Sequence, residues 1–238
     1  LNLILIEEAD LVSPGCARLS GRRFEHAATV LKIAERAACR VGLLGGGIGT
    51  ARLTAFDEQE KTLRLDFCLD SPPPPPLPLT LVIALPRPKT FRKVLHAGIT
   101  LGVKTFYFIN SFKVDKSYWQ SPMLSPENCR SEALLALEQA VDTVLPKLHF
   151  RPRFKPFVED ELTAVARNSL VLAAHPGAAA RCPVDPGGAT TLCLGPEGGF
   201  TAYEIDLLCR HGARAVGLGN RVLRTEYALP ALVSRLYG

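Results

Sequence analysis

Two short stretches near the C-terminal end carry the clearest chemistry in this chain: Leu194-Gly195-Pro196-Glu197-Gly198-Gly199-Phe200 and Gly217-Leu218-Gly219-Asn220-Arg221-Val222-Leu223-Arg224-Thr225-Glu226. Each joins an apolar, strand-like run to a glycine turn and then to a helix start, an arrangement in which main-chain amides can reach a ligand. The spacing leaves room for one helix between the turns, so both loops can stand at the same edge of one parallel sheet. That edge is the expected cofactor site. Neither stretch is a nucleotide-phosphate fingerprint, because no Gly-x-x-x-x-Gly-Lys-Ser/Thr or Gly-x-Gly-x-x-Gly run follows a strand at the right place. The five histidines are dispersed, with no ligand cluster, so no metal is implied.

The elements that must position these loops are legible upstream. From Leu79 the pattern alternates strand and helix: Leu79 to Leu85 apolar, Lys89 to Leu101 amphipathic, Lys104 to Ile109 apolar again, a β-α-β unit closed at Leu101-Gly102. A long helix is expected from Pro126 to Val144, then strands at Ser169 to Ala174, Thr190 to Leu194 and Ala213 to Leu218. The last helices are Ala202 to His211 and Glu226 to Tyr237. This predicts an α/β domain over 79–238 with a mainly parallel sheet. Ser71 to Pro78 holds six prolines in eight positions, which removes ladder donors and favours extended geometry, so 71–78 reads as a linker. Before it, over 1–70, short apolar runs at Cys39 to Leu44, Gly49 to Phe56 and Thr62 to Leu69 have the pattern of a small antiparallel barrel, with a helix from Phe24 to Ile33.

Composition excludes several classes. With 47% hydrophobic and 21% charged residues the chain is not a disordered one. A net charge of +5 permits an anionic partner such as RNA without demanding one. Cysteines 16, 39, 68, 129, 182, 193 and 209 are odd in number and scattered, without C-x-x-C spacing, which predicts reduced thiols acting as small apolar residues and a cytoplasmic setting. Leu1 to Ile6 is apolar but meets Glu7, Glu8 and Asp10, so it reads as a first strand rather than a signal or membrane span.

Read as a set, Val171-Leu172-Ala173-Ala174-His175-Pro176, the loop at 194–199 and the run at 218–226 resemble the RsmE family of ribosomal RNA methyltransferases. The resemblance extends over nearly the whole chain, and His26-Ala27-Ala28-Thr29-Val30-Leu31-Lys32 is similar to the family's His-x-x-x-Val-Leu-Arg. It implies a PUA-like, RNA-binding β-barrel followed by a SPOUT catalytic domain whose C-terminal segment threads a deep trefoil knot. General topology rules would have argued against such a knot. It further implies a homodimer that methylates N3 of a uridine in 16S ribosomal RNA, naked or in the assembled small subunit, using S-adenosylmethionine. Three departures stand out. The family's Gln-Lys-x-Thr-Glu-Leu-Gly-Val is His96-Ala97-Gly98-Ile99-Thr100-Leu101-Gly102-Val103 here, Asn220 replaces a proline, and Tyr227 replaces a threonine. Lys116 to Pro122 has the look of a divergent branch.

Methyl transfer from a sulfonium asks the protein mainly to orient and desolvate. The expected cofactor residues are His175, Leu194, Gly195, Pro196, Glu197, Gly198, Gly199, Leu218, Gly219, Asn220, Val222, Leu223, Arg224 and Thr225, the glycines letting the backbone approach and Leu218, Val222 and Leu223 forming walls. Glu197 either binds the cofactor's amino group or braces its loop. Uracil N3 carries a proton, so Glu226 is the candidate acceptor and Arg224 the candidate stabiliser of charge on the uracil oxygens. Thr225-Glu226 also reads as an ordinary helix start with a favourable acidic residue. Arg18, Arg22, Arg23 and Lys32 form the expected RNA face, with Arg151, Arg153 and Lys155 as a second basic cluster. A knotted RNA-binding protein without turnover is the alternative to an enzyme.

Overall fold

The computed structural model describes residues 2–27 and 38–238. The chain forms two compact units, Leu1–Pro75 with Leu134–Leu145, and Pro76–Ala133 with Pro146–Gly238.

The first unit is built on β1 (Ile4–Ile6), β2 (Leu11–Ser13), β3 (Cys16–Ser20), α1 (Gly21–His26), β4 (Ala38–Leu43), β5 (Ile48–Asp57) and β6 (Thr62–Ser71). They form one six-stranded sheet in the order β1-β4-β5-β6-β3-β2, antiparallel except for the β1–β4 pair. Period-two alternation explains it. Leu63 and Leu65 of β6, Ala51 and Leu53 of β5 and Ala17 and Leu19 of β3 are buried, with Phe24 of α1 packed among them. The opposite positions Arg18, Arg40, Arg52 and Arg64 are exposed. The expected helix from Phe24 to Ile33 begins earlier, at Gly21, and its second half lies outside the described residues.

The segment Leu134–Leu145 joins this unit through several bonds: Gly45 N–H donates to the Thr143 carbonyl (2.8 Å), Thr143 Oγ1 to the Gly46 carbonyl (2.6 Å), and Arg22 grips the fully buried Glu138. It follows from α3 (Pro126–Ala140), which stops short of the expected Val144 because Val141 turns to a positive φ of 57°.

The second unit contains β7 (Leu79–Ala84), α2 (Pro88–Thr100), β8 (Thr105–Ile109), the first part of α3, β9 (Lys147–Arg151), α4 (Phe154–Pro156), a π-helical turn at Phe157–Glu161, α5 (Leu162–Val165), β10 (Leu170–Ala174), β11 (Thr190–Leu194), α6 (Ala202–Arg210), β12 (Arg214–Val216) and α7 (Thr225–Tyr237). Its sheet runs β12-β10-β11-β7-β8-β9, with every pairing parallel. β11 is buried along its whole length, as a central strand covered on both faces must be. α2 turns Phe91, Val94, Leu95 and Ile99 inward at helical spacing. Each such burial contributes about 1.5–3 kcal/mol. α7 packs on α2, with Leu229 lying against Gly98. The α/β class with a parallel sheet is therefore as the strand–helix alternation predicts. β9 was not anticipated, and of the second basic cluster it carries only Arg151; Arg153 and Lys155 follow it and are exposed. Phe150 packs on Phe108 with centroids 5.4 Å apart, Arg151 pairs with Glu161 at 2.6 Å, and Phe154 and Phe157 are buried.

Candidate active site

Three adjacent parallel strands, β10, β11 and β12, deliver their carboxyl ends to one place. Ligands of open α/β sheets bind where the loops leaving such ends part. Here those loops enclose a cavity of about 320 Å³, large enough for a small cofactor. His175 and Pro176 come from the end of β10, Leu194 to Phe200 from β11, and Val216 to Gly219 with Arg221, Val222 and Leu223 from β12. Thr225, Ala228 and Leu232 of α7 and Lys113 complete the lining.

The loop after β11 is held from outside. A Cβ on Gly195 would stand 2.8 Å from the Phe200 nitrogen and 3.1 Å from Gly199, so no other residue fits that bend. Glu197 accepts from the Arg87 N–H at 3.3 Å and lies 3.5 Å from its guanidinium, so it braces the loop against the start of α2. Lys113 Nζ donates to the Gly198 carbonyl at 2.6 Å. Thr201 and Glu204 form a reciprocal capping box that starts α6, and the buried Glu204 also accepts from the Phe112 N–H at 2.8 Å. Arg87, Lys113 and Glu204 were not singled out from sequence. The Thr-x-x-Glu spacing could have revealed the last of these; the other two depend on long-range contacts.

The loop after β12 is tied only at its root. Gly217 N–H donates to the Ala180 carbonyl and its own carbonyl accepts from Cys182 N–H, both at 2.9 Å. Gly219 takes a φ of +124°, open to glycine. Val222, Leu223 and Tyr227 stand exposed, as does Phe112 beside Lys113. His175 closes its own turn, its Nδ1 accepting from the Gly177 N–H at 3.1 Å.

Of the expected cofactor residues, His175, Leu194, Gly195, Pro196, Glu197, Gly198, Gly199, Leu218, Gly219, Val222, Leu223 and Thr225 line this cavity, whereas Asn220 and Arg224 do not. Glu226 is not in the lining either. Thr225, Ala228 and Leu232 turn one face of α7 to the cavity, and Glu226 with Leu229 lies on the next face, against α2. Its side chain is almost fully buried; Oε1 lies 3.4 Å from Lys93 Nζ, and Oε2 has no hydrogen-bond partner among the described residues. A hydrogen bond from its own backbone N–H holds its carboxyl below the usual range, against the upward push of burial, and Lys93 and Arg224 add to this. Lys93 was missed because nothing local marks a pair 133 residues apart.

In the first unit, Arg22 and Arg23 are committed within the fold. Arg22 is bidentate on Glu138 (2.8 and 2.9 Å), while Arg23 grips Asp10 and donates to the Leu5 carbonyl at 3.0 Å. Arg18 is exposed on β3, directly opposite Arg64 of β6, and Lys32 lies outside the described residues. All seven cysteines are free; Cys129, Cys182 and Cys193 are buried, and burial pushes the Cys193 thiol up to about 12. No helix among the described residues is long and apolar enough to cross a membrane.

Comparison with known proteins gives this arrangement its class. A family model described as an RNA methyltransferase domain matches residues 73–237, the span that holds the parallel sheet and its cavity. Ribosomal RNA small subunit methyltransferase E of Treponema pallidum is 30% identical over 246 residues, covering 96% of this chain and 87% of that protein. The chain belongs to the ribosomal RNA small subunit methyltransferase E family, as its late motifs imply. The enzyme of that name from Neisseria gonorrhoeae, solved with S-adenosylmethionine bound, shares the fold at a TM-score of 0.76 with 21% identity, over 98% of this chain and 95% of its own. A Legionella pneumophila protein solved with bound SAM matches at 0.71 with 25% identity, over 98% and 96%.

Proposed function

We propose that this chain is a cytoplasmic, homodimeric methyltransferase that transfers a methyl group from S-adenosylmethionine to N3 of a uridine in small-subunit ribosomal RNA. The observation that carries this is the meeting of three strand-end loops around one mostly apolar cavity, in a chain of the methyltransferase E family. The cavity suits the cofactor. Leu194, Leu218, Val222 and Leu223 offer apolar walls, the tight Gly195 bend brings backbone amides to the surface, and Glu197 and Thr225 supply polar atoms. When bound, S-adenosylmethionine supplies an electrophilic methyl group on a sulfonium that departs as a neutral thioether.

The protein's part is orientation, exclusion of water and handling of the N3 proton. Glu226 is the proposed acceptor of that proton. Its buried Oε2 lacks a partner among the described residues, a costly state that an ordinary helix start does not require, and its own backbone N–H, with Lys93, keeps the carboxyl ionised. Arg224, exposed at the start of α7, is the proposed stabiliser of negative charge on the uracil oxygens. His175, which lines the cavity, and Asn220 and Arg224, which do not, are kept as proposed cofactor contacts.

Three finer features belong to the same reading. Residues 79–238 act as a SPOUT domain with a trefoil knot, supported by the root of the last loop being bound to Ala180 and Cys182 before the chain enters α7. Residues 1–70 act as a PUA-like RNA-binding barrel joined through 71–78, with Arg18 leading a face that also carries Arg40, Arg52 and Arg64. The exposed Phe112, Val222, Leu223 and Tyr227 around the cavity are the surface that a second copy covers. The reading without turnover draws on the depleted polar residues of the first catalytic helix and on Asn220 and Tyr227. Incubating the chain with small-subunit ribosomal RNA and labelled cofactor decides: mass spectrometry finding N3-methyluridine supports the enzyme, and cofactor binding with no methylated uridine supports the binder.

A further inference from the structure

The loop 218–223 borders two cavities. Leu218, Gly219, Arg221 and Leu223 line the cofactor cavity and also a second one of about 360 Å³, whose lining Arg181 and Asn220 complete. Its polar side chains are two guanidinium groups and one carboxamide, and no carboxylate is among them. Neither Arg181 nor Arg221 has a carboxylate partner among the described residues, in contrast to Arg22, Arg23, Arg87, Arg92 and Arg151, which all have one.

The position of Arg181 is fixed by its neighbours. It forms a parallel bridge with Gly217, flanked by the Gly217 N–H to Ala180 carbonyl bond and the Cys182 N–H to Gly217 carbonyl bond, both 2.9 Å. Its backbone is thus pinned beside the root of the loop that carries Arg221. Two unpaired arginines in a concave, acid-free site describe an anion receptor, and planar guanidinium forks match phosphate oxygens better than they match a point charge. RNA is the polyanion at hand if the function is as proposed.

We propose that Arg181 and Arg221 hold a backbone phosphate of the acceptor RNA strand in this second cavity. The loop 218–223 then contributes residues to both the cofactor site and the RNA site. This rests on the methyltransferase reading for the identity of the polyanion, but its test does not depend on methyl transfer. Arg181 is the informative position, because Arg221 also lines the cofactor cavity.

The experiment measures the affinity of full-length Arg181→Ala and Arg181→Lys for a small-subunit ribosomal RNA fragment across a salt series. Cofactor affinity is followed by calorimetry on the same preparations. The expected result is a fall in RNA affinity of about tenfold for Arg181→Ala, the worth of one charge-assisted contact. The slope of log affinity against log salt should become shallower by about 0.7–0.9, one phosphate contact. Arg181→Lys should restore the slope and only part of the affinity. Cofactor affinity and the melting temperature should stay at the wild-type level. Unchanged RNA affinity and slope in Arg181→Ala would overturn the subsite, as would loss of cofactor affinity with RNA binding intact, which would put the arginine on the cofactor's carboxylate. Failure of the broader reading looks different: the wild-type chain would methylate no uridine even though the Arg181 variants lost RNA affinity.

Discussion

The two glycine loops look alike in sequence and are held very differently. The loop after β11 is clamped from three directions, by Arg87 on Glu197, Lys113 on the Gly198 carbonyl and the Thr201–Glu204 capping box. Among the described residues, the loop after β12 is bonded only at Gly217, and no backbone hydrogen bond reaches residues 218–223. It also exposes Val222 and Leu223. A clamped loop can present a preorganised surface to a ligand, whereas a loosely tied one can adjust to whatever covers it. In the proposed reading the first loop is the cofactor's cradle, and the second is the element that responds to RNA and to a second subunit.

Catalysis supplies the largest expected effect. Glu226→Gln removes the proposed acceptor without changing the size of the side chain, so single-turnover methylation should fall by about 10²–10⁴-fold at unchanged cofactor affinity. A full rate in this variant would reduce Glu226 to a helix-start ion pair with Lys93. Because its folded pKa lies below the ordinary 4.5, the ionised form and its pairing with Lys93 are present above pH 4.5 and are lost as pH falls through the lower, folded value. A wild-type rate limited by this group should thus stay level from pH 7 down to about pH 5.

The clamped loop comes next. Gly195→Ala drives a methyl group into the Phe200 nitrogen, and misplacement of a preorganised site on the ångström scale costs about 100-fold, here read as cofactor affinity. Glu197→Gln keeps the shape but removes the negative charge that faces Arg87, and should weaken cofactor binding by about tenfold if bracing matters. Equal losses from a matched alanine substitution at Val222 would erase the distinction between the two loops.

Smaller effects belong to the first unit, where a second contrast sharpens the first. Arg22 serves buried Glu138, so Arg22→Ala should destabilise this unit by about 1–3 kcal/mol, visible as a lowered melting temperature. Arg18 has no such duty. Arg18→Ala should leave stability unchanged and make the RNA salt slope shallower by about 0.7–0.9. An Arg22 variant that weakened RNA binding without loss of stability would restore Arg22 to the RNA face.

What could be read in advance follows the range of the interactions. The alternation of apolar runs and amphipathic helices after Leu79, and the glycine bends at 195 and 217–219, are local patterns, and the structure has strands and turns there. β9 escaped because Lys147 to Arg151 mixes charged and aromatic residues, and its place at the sheet edge is set by Phe108 and Phe91 rather than by its own pattern. The pairing of Arg22 with Glu138 crosses 116 positions, and the contact of Glu226 with Lys93 crosses 133. The attachment of Leu134–Leu145 to the N-terminal sheet depends likewise on bonds to Gly45 and Gly46 that no window of sequence contains. Type and turn were local; which charge meets which was not.

In the proposed function the strand-end cavity takes S-adenosylmethionine and the clamped loop shapes it. Calorimetric titration of S-adenosylmethionine into the wild-type chain and into Gly195→Ala tests it most directly. Saturable binding by the wild type that is lost in the variant, with both proteins equally folded, is the predicted result. No binding by the wild type, or equal affinity in the two, would contradict it.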